Sequence, residues 1–468
     1  MPIESLNPAS GELIKRYAEM TPQQVNEAIE AAHAAFLKWR GTSFAERAEH
    51  MRKAAALLRE RSRDYGRLMA QEMGKPICDG VAEAQKCAVG CDYYAEHAER
   101  YLADEIVDSA PRKSLVAFRP LGVVLAVMPW NFPFWQVIRF AAPALMAGNA
   151  GLLKHASNVP GSALALEQLF RDAGFPPDLF RTLMIGSKSV GDVIAHPHVR
   201  AVSLTGSTPA GRDVAAKAGA ALKKTVLELG GSDAYLVLTD ADIAFAAAAC
   251  AKGRLVNSGQ SCIAAKRFIV LEPLKDRFEE QLVAEMGKAK VGDPLDEDTK
   301  VGPMARRDLR DELHEQVAKS IAKGARALCG GLVPEGPGAF YPPTVLTNVR
   351  PGMPAYDEEL FGPVASVIGA KDVEDAVRIA NDSEFGLGGG VFTRDLALGE
   401  RLAKEGIEAG SVFVNATVSS DPKLPFGGVK DSGYGRELSS YGIREFVNIK
   451  TVVVAQHGAA PTSPHHSE

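Results

Sequence analysis

Six cysteines in 468 residues are too few and too scattered for a disulfide framework. Cys78, Cys87, Cys91, Cys250, Cys262 and Cys329 show no paired spacing, so a reducing, cytoplasmic setting is expected. Cys87 and Cys91 stand four apart on a candidate helix with only His97 nearby, too few ligands for zinc, and no metal site is expected. Aromatic residues are 7% of the chain, which leaves little for stacking on bases. An excess of positive charge is missing as well: 53 Lys and Arg face 58 Asp and Glu, a net charge of −5. Without a basic block, sequence-independent binding of nucleic acid is excluded. The apolar stretch 121–128 falls far short of the ~20 residues a membrane-spanning helix needs. The first residues show no basic segment followed by an apolar one, so no signal peptide is expected. The dinucleotide fingerprint GxGxxG is also lacking. Gly206 and Gly211 have the glycine spacing of a P-loop, but Arg212-Asp213 follows in place of Lys-Ser/Thr. A P-loop needs that lysine for phosphate and that hydroxyl for magnesium, so an NTPase is excluded.

What remains is ordinary globular usage, 46% hydrophobic and 24% charged. Apolar residues at three-to-four spacing predict helices over 22–39, 45–73 and 83–102. Short apolar runs at 105–107 and 114–118 around a turn signal predict a small exposed hairpin, which needs a neighbouring element or a second subunit to be stable. From position 121, β-rich runs (123–128, 150–154, 180–185, 199–205, 225–229) alternate with helical ones (134–146, 161–173, 190–196, 210–222). A second series follows Gly231, with strands at 235–238, 268–271, 364–369, 390–392 and 412–414 and helices at 244–256, 275–288, 305–323 and 373–381. The alternation predicts two α/β domains with mainly parallel sheets and a seam near 229–231. The end from 457, with Pro461 and Pro464, is expected to be disordered.

Three loops at predicted strand or helix ends carry candidate chemistry. Asn257-Ser-Gly-Gln-Ser-Cys262 sets a thiol after a glycine turn, where it is better placed for covalent work than inside a helix. Glu228-Leu-Gly-Gly231 sets a carboxylate beside two glycines that permit close backbone approach. Pro129-Trp-Asn-Phe-Pro133 fixes an amide in a turn stiffened by two prolines. Each has a plain structural reading on its own. A thiol, a base and an amide donor together suit acyl chemistry on sulfur. The turn Gly206-Ser207 after a strand offers free N–H groups and a helix dipole to a pyrophosphate.

PWNFP, SLTGS, ELGG, GQSC, EELFGPV and PFGGVKDSGYGRE occur in this order across nearly the whole chain. From Asn7-Pro8 to about Val453 the sequence resembles the aldehyde dehydrogenase superfamily, and within it looks most like the succinate-semialdehyde dehydrogenases. The resemblance implies an aldehyde dehydrogenase-like fold of two Rossmann-type domains with a small β arm for oligomerisation. The implied boundaries are 1–102 with 120–230 for dinucleotide binding, 231–442 for catalysis, 103–119 with 443–456 for the arm, and 457–468 for the tail. It implies Cys262 as nucleophile, Glu228 as general base and Asn131 as oxyanion-hole amide. For the cofactor, NADP or NAD, it implies Pro129, Trp130, Lys154, Ser157, Gly206, Ser207, Leu229, Glu359 and Phe361. A homodimer or homotetramer acting on a small aldehyde is expected.

Three positions depart from the family pattern. Ser157 stands where NAD-preferring relatives carry Glu; without that carboxylate the 2′-phosphate of NADP meets no repulsion, and Lys154 is at hand to bind it. Phe140 replaces a common lysine. Val256 replaces a second arginine found in some succinate-semialdehyde dehydrogenases. Arg139, eight residues after Asn131, is expected at the mouth of the pocket to hold a distal carboxylate, with Ser419, Ser420 and Phe426 as further substrate contacts. The missing arginine keeps glutarate semialdehyde and a broad aldehyde range open. A cofactor-independent thiol esterase and a non-catalytic structural protein are the alternatives from other classes.

Overall fold

A computed structural model describes residues 3–109 and 112–455. The tail expected to be disordered lies outside the described residues. Two helices near the start show how local signals set their ends. Thr21 accepts from the Gln24 backbone at 3.2 Å while the Gln24 side chain accepts from the Thr21 backbone at 2.8 Å, which opens helix Pro22–Trp39. Ser43 and Glu46 open helix Phe44–Glu60 in the same way. The continuous helix expected over 45–73 is interrupted at Arg61, and Ser62–Met73 follows as a separate helix that ends on Gly74 at φ 76°. The expected third helix starts earlier, at Ile77, and runs to Tyr101. A two-stranded hairpin, Ile3–Leu6 with Leu13–Tyr17, precedes them all. Its residues are mostly exposed, so no alternation of buried and exposed positions marked it in the sequence.

The first sheet has six strands. Five are parallel: Val123–Met128, Ala150–His155, Phe180–Thr182, Val199–Thr205 and Lys224–Glu228. The short strand Gly433–Tyr434 returns antiparallel to the edge at Leu227–Glu228, so a late segment of the chain closes the first sheet. Helix Trp135–Met146 is buried along all of its twelve residues and packs beneath this sheet. Helices on both faces explain why the strands read as continuous apolar runs and do not alternate.

The second sheet has seven strands. Ala234–Val237 sits near the middle, parallel to Arg267–Leu271 on one side and Gly388–Phe392 on the other. Strands Thr344–Thr347 and Arg326–Cys329 extend one edge, the latter antiparallel; neither stood out in the sequence. The third sheet joins Val447–Val454 to Arg112–Pro120 over eight residue pairs, with Glu105–Ser109 on the other side of Arg112–Pro120. It turns apolar residues outward: Ile106 is 69% exposed and Ile449 62%. Among the described residues no helix is long and apolar enough to cross a membrane.

Candidate active site

The parallel strands of the first sheet end at one edge, and the loops leaving them line a cleft of about 270 Å³. Pro129, Trp130 and Asn131 come from the loop after Val123–Met128, Gly206 and Ser207 from the loop after Val199–Thr205, and Leu229 follows Lys224–Glu228. Across the cleft stand Cys262, Glu359 and Phe361, together with Leu309, Leu313 and Gln316 of helix Arg307–Ala322. The rings of Trp130 and Phe361 meet edge to face at 5.7 Å. Seven of the nine cofactor residues expected from the sequence therefore share one space with the expected thiol and amide. Lys154 and Ser157 do not line it. Lys154 is the penultimate residue of the neighbouring strand, and burial lowers its pKa; Ser157 lies just beyond the strand, exposed beside a shallow depression.

Cys262 is carried by a strained loop. Asn257, Ser258 and Gly259 are consecutive in the left-handed region, at φ 53°, 57° and 77°. The two non-glycine residues cost about 1–3 kcal/mol each in that region and persist only where the surroundings over-determine them. Here they do. Ser258 Oγ accepts from the Gly302 backbone at 2.9 Å, and Arg254, fully buried, donates to the Gly259 carbonyl. A Cβ on Gly259 would lie 2.3 Å from the Gly362 carbonyl carbon, so only glycine fits. Lys266, 2% exposed, binds the turn from inside, donating to the carbonyls of Ser261 (2.9 Å), Cys262 (2.8 Å) and Ala264 (3.2 Å) and pairing with Glu359 at 3.3 Å. Glu359 in turn accepts from the Gly231 backbone at 3.1 Å, which ties the cleft's two sides together.

Asn131 is 3% exposed and its amide has one orientation. Gln136 Nε2 donates to its Oδ1 at 3.0 Å, so its Nδ2 faces the Cys262 loop and donates to the Gln260 carbonyl at 3.1 Å. The Asn257 side chain donates to the Asn131 carbonyl at 2.8 Å. The amide is thus held with a donor on the thiol's side.

Glu228 is 2% exposed, and neither oxygen has a hydrogen-bond partner among the described residues. Burial pushes its pKa well up; the Glu437 carboxylate adds to the rise, while Arg139 and Arg436 oppose it. Burial likewise pushes the Cys262 thiol up to about 12, against the pull of Arg139 and Lys266. The Glu437 carboxylate, ion-paired with Arg139, is itself raised by burial.

Arg139 corrects an expectation. It is not at an open mouth but buried, 4% exposed, ion-paired with Glu437 and stacked 4.5 Å over the Phe426 ring. Helix Trp135–Met146 is buried on every face, which carries its arginine inward. Phe426 is fixed by reciprocal backbone hydrogen bonds with Glu437, 2.7 Å each. Phe140 stacks edge to face on Phe446, so its position is filled by core packing. Ser420 is buried and its hydroxyl accepts from Lys86 and Trp135, whereas Ser419 is exposed.

Sequence reasoning missed Lys266 and Gln136 and gave no role to Asn257 and Glu437, although Asn257 opens the Cys262 loop and Glu437 closes the PFGGVKDSGYGRE motif. Lys266 and Gln136 act through contacts no spacing rule encodes.

The cleft suits a dinucleotide without GxGxxG. Helix Thr208–Ala220 starts at Ser207 with no side-chain cap, which leaves its first N–H groups to an anion. A Cβ on Gly206 would approach only Leu204, at 3.7 Å, so the turn lies open on the cleft side. Among the described residues no group of three His, Cys, Asp or Glu is arranged to hold a metal ion.

Comparison with known proteins identifies the family and the fold. The Aldehyde dehydrogenase family profile matches residues 1–452. Succinate-semialdehyde dehydrogenase (NADP+) 1 of Mycobacterium tuberculosis is 51% identical over 458 residues, covering 97% of this chain and 100% of that one. The probable succinate-semialdehyde dehydrogenase (NADP+) of Synechocystis is 49% identical over 455 residues, with the same coverage. A crystal structure of succinic semialdehyde dehydrogenase from Streptococcus pyogenes in complex with NADP+ superposes with a TM-score of 0.95 at 37% identity, covering 97% of this chain and 100% of that one.

Proposed function

The chain belongs to the aldehyde dehydrogenase family, and from that premise we propose that it oxidises succinate semialdehyde to succinate with NADP. It is an NAD(P)-dependent oxidoreductase; the particular aldehyde and the preference for NADP are the reading advanced here. The observation that carries it is the convergence of Cys262 and Asn131 with Gly206, Ser207, Glu359 and Phe361 in one cleft. A thiol esterase needs no such dinucleotide-shaped wall, and a structural protein needs no strained loop to present a thiol.

In this reading the Cys262 sulfur, having lost its proton, adds to the aldehyde carbon. The negative charge that grows on the aldehyde oxygen meets Asn131 Nδ2, whose direction Gln136 has already fixed. Trp130, Glu359 and Phe361 would hold the nicotinamide beside Cys262, and the cofactor would supply the hydride acceptor there. The Cys262 thioester left behind is hydrolysed by water whose proton passes to Glu228. The ionised carboxylate of Glu228 suits this task, because neither of its oxygens is engaged by another group among the described residues. Lys154 and Ser157 are proposed to meet the ribose and 2′-phosphate, an exposed hydroxyl taking the place where a carboxylate would repel the phosphate. The outward-facing apolar residues Ile106 and Ile449 support pairing of the third sheet with a second copy.

A panel of aldehydes, each assayed with NAD and with NADP by absorbance of the reduced cofactor, tests the proposal. Succinate semialdehyde with NADP is expected to give the highest kcat/KM. A higher value for an uncharged aldehyde such as butanal would overturn the substrate, and a higher value with NAD would overturn the cofactor.

A further inference from the structure

We propose that Lys86, together with the hydroxyl of Ser420, receives the distal carboxylate of the substrate, which reaches Cys262 through a second and larger cavity. The inference rests on the reading of the protein as a dehydrogenase of an acidic aldehyde.

That cavity, of about 560 Å³, lies between helix Ile77–Tyr101 and helices Ile243–Leu255 and Lys275–Gly287. It shares two chain segments with the cofactor cleft. Phe132 and Trp135 line the cavity, whereas Asn131 and Gln136 of the same segment line the cleft. Val256 and Asn257 line the cavity, whereas Cys262 lines the cleft. Asn257 Nδ2 bridges the partition, donating to the carbonyls of Asn131 at 2.8 Å and Gln260 at 3.0 Å. The two spaces therefore lie on either side of the segments that carry the thiol and the amide.

Lys86 has no carboxylate within ion-pair distance among the described residues. Its ammonium donates to Ser420 Oγ at 2.7 Å and sits 4.6 Å over the Trp135 ring. Trp135 Nε1 donates to the same oxygen at 3.1 Å. A hydroxyl has two acceptor sites and one proton, so with both acceptor sites taken Ser420 has only its proton left to give. An ammonium with one of its three N–H groups used has two left. Three donors thus gather around the Lys86 ammonium, which lines the cavity while Ser420 backs it, a match for a carboxylate. The surroundings leave room for a negative charge. Burial first, and then Arg139, lower the Lys86 pKa to about 8, while Cys87, Glu83 and Asp421 support its charge from a distance. Asp79, Glu285, Lys252, Lys288 and Lys300 line the rest of the cavity, with Lys288 already paired to Glu285. Arg139 is committed to Glu437, and Val256 is neutral, so neither position expected from the sequence supplies a free cation. Lys86 does.

The test compares succinate semialdehyde with butanal, at saturating NADP, in the wild-type enzyme and in Lys86→Met, Lys86→Arg and Ser420→Ala. In Lys86→Met, whose stem still packs on Trp135, the ratio of kcat/KM between the two aldehydes is expected to fall at least about 30-fold, chiefly through KM. Ser420→Ala lowers the same ratio by a smaller factor. In the wild type the ratio declines as pH rises past about 8, because the ammonium loses its proton. Lys86→Arg moves that decline to higher pH, a shift that a merely structural role would not produce. A wild-type preference for succinate semialdehyde that survives intact in Lys86→Met, or a decline that Lys86→Arg leaves in place, overturns the assignment. A wild-type enzyme without that preference overturns the substrate reading instead, and the two failures are told apart before any variant is compared.

Discussion

Gln136 gives the sharpest test of how the site is pre-organised. The Asn131 amide can stand in two orientations related by a half-turn. In the observed one, Oδ1 accepts from Gln136 at 3.0 Å and Nδ2 donates to the Gln260 carbonyl at 3.1 Å. Turned over, donor would face donor and oxygen would face oxygen, losing both bonds. At about 1 kcal/mol net per bond, the observed orientation is favoured by about 2 kcal/mol, or roughly 30 to 1. Gln136→Leu removes one bond and leaves about 1 kcal/mol, roughly 5 to 1. The correct orientation still dominates, so population alone costs less than about twofold; the unpaired buried Oδ1 and a looser amide raise the expected loss to about 2- to 10-fold. Asn131→Ala removes the donor outright and is expected to cost about 100- to 1000-fold. Stopped-flow measurement of the first turnover of reduced cofactor reads the acylation half-reaction for both variants. Equal losses in the two would refute the orienting role given to Gln136. An unchanged first turnover in Asn131→Ala would refute the amide's role itself.

Cys262→Ala is expected to abolish aldehyde oxidation while still quenching protein fluorescence on binding NADP; normal turnover would remove the thiol from the mechanism. Glu228 works as a base only when ionised, and its pKa is raised, so deacylation is expected to speed up as pH climbs through that raised value. Glu437→Gln removes the negative neighbour and frees the charge of Arg139, both of which lower the Glu228 pKa, so the rising limb should move to lower pH. A limb that stays in place, or moves up, contradicts the coupling. Ser157→Glu should raise the Michaelis constant for NADP much more than that for NAD, since a carboxylate would face the 2′-phosphate; an unmoved ratio places Ser157 away from the cofactor.

The sequence by itself determined the alternation along the chain of the buried strands and helices that build most of both sheets, because a strand buried on both faces must be a continuous apolar run and a helix on a sheet must repeat every three to four residues. It also determined the pieces of chemistry that rest on a turn: the Cys262 loop, the Asn131 turn and the Gly206-Ser207 turn are local, and their glycines and prolines are visible one after another in the chain. Exposed or short strands such as Leu13–Tyr17 and Arg326–Cys329 were not legible, since neither has the buried pattern that marks a strand. Only the tertiary structure decided how charge is distributed around the thiol. Arg139, eight residues beyond Asn131, was expected at the mouth of the pocket, yet the packing of its helix on all sides turned it inward to Glu437, 298 positions further along the chain. Lys266 and Lys86 are unremarkable lysines in the sequence; one became the clamp of the nucleophile turn and the other a cation facing the larger cavity. Spacing along a chain encodes neighbours within a turn or two. The field at a buried site is set by residues hundreds of positions apart, and folding alone brings them together.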